Sequence, residues 1–209
     1  VVMINPFRPT AGAKPPSLIG RDKVVVDFIE GLQGGVAAPG RLMKITGPRG
    51  SGKTVLLTEL GERAASLGWK VANVAAGADL IPDLVYELEP SVSIDGASMS
   101  ANAALVSADV SVTCKEPNLR ALMKNAATSS NGLLVTVDEV QDASTEDMQR
   151  IAHSVQLLIR EKANIAFVFA GLPSGVLDVV NGKALTFLRR AMGESLGPIN
   201  QMEVGISLT

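Results

Sequence analysis

Residues Gly47-Pro48-Arg49-Gly50-Ser51-Gly52-Lys53-Thr54 constrain this 209-residue chain more than any other stretch. They fit G-x-x-x-x-G-K-[ST], a loop that wraps a chain of phosphates. Phosphates are bulky and anionic, so glycines let the backbone come close and turn its N–H groups inward as an anion nest. Lys53 is placed to reach the β- and γ-phosphates, and the Thr54 hydroxyl to ligate Mg²⁺. The following helix points the positive end of its dipole at the same phosphates. Such a loop needs a strand before it and a helix after it. Arg41–Thr46 reads as a short strand. Val55, Leu56, Leu57, Leu60, Ala64 and Leu67 then recur at helical spacing, and Gly68 stands where a helix-ending glycine belongs. Residues 47–54, with Val55 directly after them, are the candidate nucleotide-binding segment.

A second run completes the chemistry. Leu133-Leu134-Val135-Thr136-Val137 is nearly all apolar, as a parallel strand covered on both faces must be. Asp138-Glu139 ends it, at the strand terminus where open α/β sheets bind ligands. Asp138 is the candidate Mg²⁺ ligand. Glu139 is placed to accept a proton from an attacking water, or to orient that water. A second acid beside the metal ligand suits hydrolysis better than transfer to a bound alcohol. The chain has no N-K-x-D element of the kind that reads guanine.

Composition narrows the remaining classes. With 46% hydrophobic and 19% charged residues, the chain is globular and not disordered. A net charge of −2 and 3% aromatic residues provide neither an electrostatic footprint for nucleic acid nor a base-stacking platform. Arg189-Arg190 is the one adjacent basic pair. Cys114 is the only cysteine and His153 the only histidine, so neither a disulfide nor a metal cluster is expected. No apolar stretch is long enough to cross a bilayer, and no secretory start is visible. These features suggest a cytoplasmic protein.

Along the chain, the prolines at 6, 9, 15 and 16 make residues 1–17 an extended arm. Residues 18–209 read as the core. Helices are expected from Asp22 to the Gly34-Gly35 stop, over 81–88, 119–127 and 145–162, from about 175 to 181, and from about 185 to 192. Strands are expected at 69–75, 165–170 and 202–208. Residues 91–113 read as a hairpin or irregular insertion. Strand–helix alternation argues for a parallel sheet with helices on both faces.

Together the motifs resemble P-loop ATPases of the AAA+ and STAND type, and within them the origin-recognition initiators and related bacterial ATP-binding proteins. Leu18-Ile19-Gly20-Arg21-Asp22 is similar to the element with which these proteins enclose adenine. Asn5-Pro6-Phe7-Arg8-Pro9 and Gly171-Leu172-Pro173 also match. The resemblance implies a three-layer α/β fold with a sheet ordered 5-1-4-3-2, ATP or ADP with Mg²⁺ as ligands, and Ile19, Gly20 and Arg21 at the base. It implies slow ATP hydrolysis by the isolated core, because a neighbouring subunit or protein partner often supplies an arginine finger. Arg150, Arg160, Arg189 and Arg190 are the candidates. Two departures stand out. The polar sensor expected after strand four is replaced by Ala170-Gly171-Leu172-Pro173-Ser174, with Ser174 the nearest polar residue. The helical lid and winged helix of such proteins are not expected within a sequence ending at Thr209. The alternatives are a non-hydrolysing nucleotide switch acting through a protein partner, a DNA-acting initiator or loader, and a small-molecule kinase.

Overall fold

The strand–helix alternation becomes two helical layers enclosing a five-stranded parallel sheet. The computed structural model describes residues 20–36, 38–89, 118–182 and 185–197, and the backbone of 91–94 and 97–100. In chain order the elements are α1 (Asp22–Gln33), β1 (Leu42–Thr46), α2 (Lys53–Ser66), β2 (Lys70–Ala75) and α3 (Leu80–Leu88). A short antiparallel pair follows, β3 (Ser91–Ile94) with β4 (Ala97–Ser100). Then come α4 (Leu119–Thr128), β5 (Leu133–Asp138), α5 (Thr145–Arg160), β6 (Ile165–Gly171), α6 (Pro173–Asn181) and β7 (Met192–Ser195).

The sheet runs β2-β5-β6-β1-β7. Counted along the sheet's own strands, this is the expected 5-1-4-3-2 read from the other edge. β6 lies between the phosphate-loop strand and the acidic strand, as the resemblance implied.

Alternation on the two central strands sorts their side chains into two cores, because successive residues of a strand point to opposite faces. Leu133, Val135 and Val137 of β5 pack with Ile165, Phe167 and Phe169 of β6 against α3 to α6. Leu134, Ala166, Val168 and Ala170 face the other way and join Phe28 of α1 with Leu56 and Leu60 of α2. The Phe167 and Phe169 rings stack at 5.5 Å. Each fully buried Leu, Ile or Phe contributes roughly 1.5–3 kcal/mol.

Two details differ from expectation. The segment expected as a helix over 185–192 is a 3₁₀ turn, Thr186–Arg190, followed by β7. β7 is an edge strand of only four residues with an alternating half-buried and exposed pattern, so it carries no apolar run to announce it. The strand expected at 202–208, the arm at 1–17 and Cys114 lie outside the described residues. Arg41, read as the start of β1, instead ends a 3₁₀ turn and is buried. It donates to the Gly31 and Leu32 carbonyls at the end of α1 (2.8 and 2.5 Å) and to Asn164 Oδ1, with its guanidinium 5.0 Å from the Trp69 ring centre. Burial lowers its pKa from the ordinary value.

Candidate nucleotide site

The order of the sheet decides where a ligand fits. From β1 the chain crosses to β2 at one edge, and from β6 it passes to β7 on the other side of β1. The loops at the C-terminal ends of β1 and β6 therefore diverge and leave a crevice, the position at which open α/β sheets take ligands. The 47–52 loop leaves β1 into this crevice.

Local chemistry shapes the loop. Gly50 and Gly52 have φ of +77° and +87°, and a Cβ on either would meet nothing within 4 Å. These left-handed positions suit glycine, and Gly52 is the N-cap of α2. Gly47 is tight instead: a Cβ there would stand 2.4 Å from Ser51 Oγ and 3.0 Å from the Leu196 carbonyl. Lys53 is only 4% exposed, and its Nζ donates to the Gly47 and Pro48 carbonyls at 3.2 Å each. A buried ammonium held by loop carbonyls is a cation whose charge invites an anion. Ser51 Oγ is buried with no hydrogen-bond partner among the described residues, a second polar atom in the loop that a phosphate oxygen would satisfy.

Across the crevice, β5 delivers Asp138 and Glu139. Thr54 Oγ1 donates to Asp138 Oδ2 at 2.6 Å, joining the two sequence motifs directly. The other carboxylate oxygen of Asp138 accepts from the Glu139 N–H at 2.8 Å. A hydroxyl and a carboxylate are the hard oxygen donors that Mg²⁺ prefers. Glu139 adopts φ 50°, ψ 45° and accepts from Gln141 Nε2 at 2.5 Å. Among the described residues no group of three or more His, Cys, Asp or Glu side chains forms a further metal cluster.

Arg21 comes to the same end of the sheet. It donates from Nη2 to the Gly197 carbonyl at 2.9 Å, while the neighbouring Leu196 N–H bonds the Thr46 carbonyl at 2.7 Å. Gly20 and Arg21 thus stand one strand end away from the loop; Ile19 lies outside the described residues.

The arginine candidates separate. Arg160, Arg189 and Arg190 line a cleft of about 610 Å³ with Leu42 and Ile165, at the N-terminal ends of β1 and β6. That is the opposite end of the strands, roughly 16 Å away along a five-residue strand. Arg150 sits on α5, outside that lining.

Ser174 is exposed in the first turn of α6. The polar group beside the end of β6 is the amide of Gln141, which sequence reasoning missed. Its only local signal is a polar residue two places after Glu139.

Comparisons with known proteins bear on the family and the fold. The sequence of residues 38–180 matches a family described as AAA domain. No curated protein matches the sequence. Among solved structures, Cdc6p from Pyrobaculum aerophilum superposes with a TM-score of 0.64 at 15% identity, covering 95% of this chain and 51% of that one. The ADP form of the ORC2 protein from Aeropyrum pernix gives 0.63 at 21% identity, covering 95% and 54%. AMPPCP-bound DnaA from Aquifex aeolicus gives 0.58 at 16% identity, covering 90% and 51%. The chain therefore spans about half the length of these structures, and at such identities they show the fold. With well over half of the sequence inside the family match, and with the P-loop ATPase core fold of these proteins, the chain belongs to the AAA domain family.

Proposed function

We propose that this chain binds ATP and ADP at the 47–54 loop and is a Mg²⁺-dependent ATPase core, slow on its own. The observation that carries the reading is the 2.6 Å bond from Thr54 to Asp138, which brings the phosphate loop and the acidic strand into one site. In this reading the loop amides and Lys53 hold the phosphates, with Lys53 releasing its two carbonyls as it does so. Thr54 and Asp138 hold Mg²⁺. The bound ion supplies neutralisation of the phosphate oxygens. Glu139 takes the proton of the attacking water or orients that water. Gly20 and Arg21, with Ile19, flank the base.

Arg160, Arg189 and Arg190 stand at the N-terminal ends of the strands, too far to reach the phosphates of their own site. This supports a reading in which a second copy or a protein partner completes the transition-state charge, a contribution of ~10³–10⁵ in rate. The acidic balance of the chain favours protein over nucleic acid as that partner. No helix among the described residues is long and apolar enough to cross a membrane.

The test is phosphate release with Mg²⁺ over a range of protein concentrations, for the native chain, Glu139→Gln and Lys53→Ala. Turnover that rises with concentration and disappears in both variants supports the proposal. Absent turnover, with binding kept in Glu139→Gln and lost in Lys53→Ala, replaces it with a nucleotide-binding switch.

A further inference from the structure

Gln141 joins two elements that the proposed chemistry treats separately. Its Nε2 donates to Glu139 Oε2 at 2.5 Å, and its Oε1 accepts from the Leu172 N–H at 3.0 Å. A longer contact runs from Nε2 to Asp142 Oδ2 at 3.4 Å. The amide can face only one way, because Leu172 N–H only donates and an ionised carboxylate only accepts. The side chain lies in a slot cut by two glycines. A Cβ on Gly171 would stand 2.7 Å from Gln141 Oε1, and one on Gly175 would stand 2.3 Å from Gln141 Cβ. Glu139, meanwhile, holds a left-handed backbone that residues with a Cβ rarely adopt and that surrounding contacts must maintain.

We propose that Gln141 is a positioning residue: it fixes the Glu139 carboxylate at the C-terminal end of β5 and ties that carboxylate to the N-cap of α6. The physical need is plain. A glutamate side chain has three rotatable bonds, and a group that must meet an attacking water within hydrogen-bond distance loses rate when misplaced. A shift of 1 Å costs about 10²-fold. The Nε2–Oε2 bond removes that freedom at one end. The Leu172 bond anchors the other end of the amide to α6, so a displacement of α6 is transmitted to Glu139 over two hydrogen bonds. The inference rests on Glu139 as the water-activating group.

Two variants separate the two ends of the amide. Gln141→Met keeps length and apolar packing and removes both hydrogen bonds. Gln141→Glu keeps an acceptor for Leu172 and removes the donor to Glu139. Both are expected to lower kcat about 10²-fold, with KM and ADP affinity within about twofold of the native chain and the melting temperature little changed. Native kcat in Gln141→Met overturns the proposal. So does native kcat in Gln141→Glu alone, which would leave Gln141 only an anchor for α6. A readout that needs no turnover is the amide exchange of Leu172 by NMR. Glu139→Ala frees one end of Gln141 and is expected to speed exchange at Leu172 about tenfold; exchange within twofold of native overturns the tie. If the native chain itself releases no phosphate, the ATPase reading fails, and the exchange measurement alone decides whether Glu139 and α6 are joined.

Discussion

Gly175→Ala is a demanding test of how closely α6 is fitted to the site. Gly175 lies in the first turn of α6, and its φ is not in the left-handed region. Helix propensity therefore favours alanine, by up to about 1 kcal/mol. Space opposes it: the new Cβ would lie 2.3 Å from Gln141 Cβ and 3.0 Å from Gln141 Cα. Ordinary carbon–carbon contact begins near ~3.5 Å, and neither atom is the movable end of a side chain. The helix must then retreat by roughly 1 Å. The Leu172–Gln141 bond, at 3.0 Å, does not survive such a retreat. Overpacking of this kind costs about 1–3 kcal/mol and the lost hydrogen bond about 1 kcal/mol more, so after the helix-propensity gain a net loss of about 2 kcal/mol is expected. In a chain of this length that lowers the melting temperature by roughly 4–8 °C. Thermal unfolding followed by circular dichroism, with kcat at saturating ATP beside it, reads both consequences. kcat should fall at least about tenfold, since Glu139 loses its fixed support. Gly77→Ala is the control, because a Cβ there meets nothing within 4 Å and should be nearly neutral. A Gly175→Ala protein that melts at or above the native temperature with native kcat would refute the reasoning.

Three further outcomes follow from the structure. Arg41→Met should lower stability by about 2–4 kcal/mol, since hydrogen bonds from a charged donor contribute about 1.5–3 kcal/mol each and part of that is offset by the desolvation no longer incurred; a urea midpoint shift at constant slope measures it. Arg41→Lys should not restore the loss, because the bonds to Gly31, Leu32 and Asn164 use the guanidinium fork. Asp138→Asn should raise the Mg²⁺ concentration for half-maximal phosphate release at least about tenfold, the equivalent of ~1.4 kcal/mol, while ADP affinity in EDTA stays native; magnesium titrations with and without chelator check this.

Much of the fold was legible because its signals are local. The phosphate loop is eight consecutive residues whose glycines, lysine and threonine have their chemistry built in. The buried strands β5 and β6 are written as apolar runs, since a strand covered on both faces tolerates little else. Helix α5 shows its apolar face at helical spacing, with Ser144 capping it through the Asp147 N–H. What stayed hidden depends on partners far along the chain. β7 is a strand because Met43–Thr46 pair with Met192–Ser195, and nothing in Met-Gly-Glu-Ser shows that. Gln141 looks like a polar turn residue until Leu172, 31 positions later, closes on its amide.

The sequence by itself determined most of the element types and the parallel sheet, and marked the candidate residues for phosphate and metal, because periodicity and motif spacing act over a few residues. The tertiary structure alone decided that Thr54 meets Asp138, that Arg160, Arg189 and Arg190 gather at the opposite end of the strands, and that Gln141 bridges Glu139 to α6. Those are contacts between segments whose approach is set by strand order and helix packing, and no local pattern encodes them.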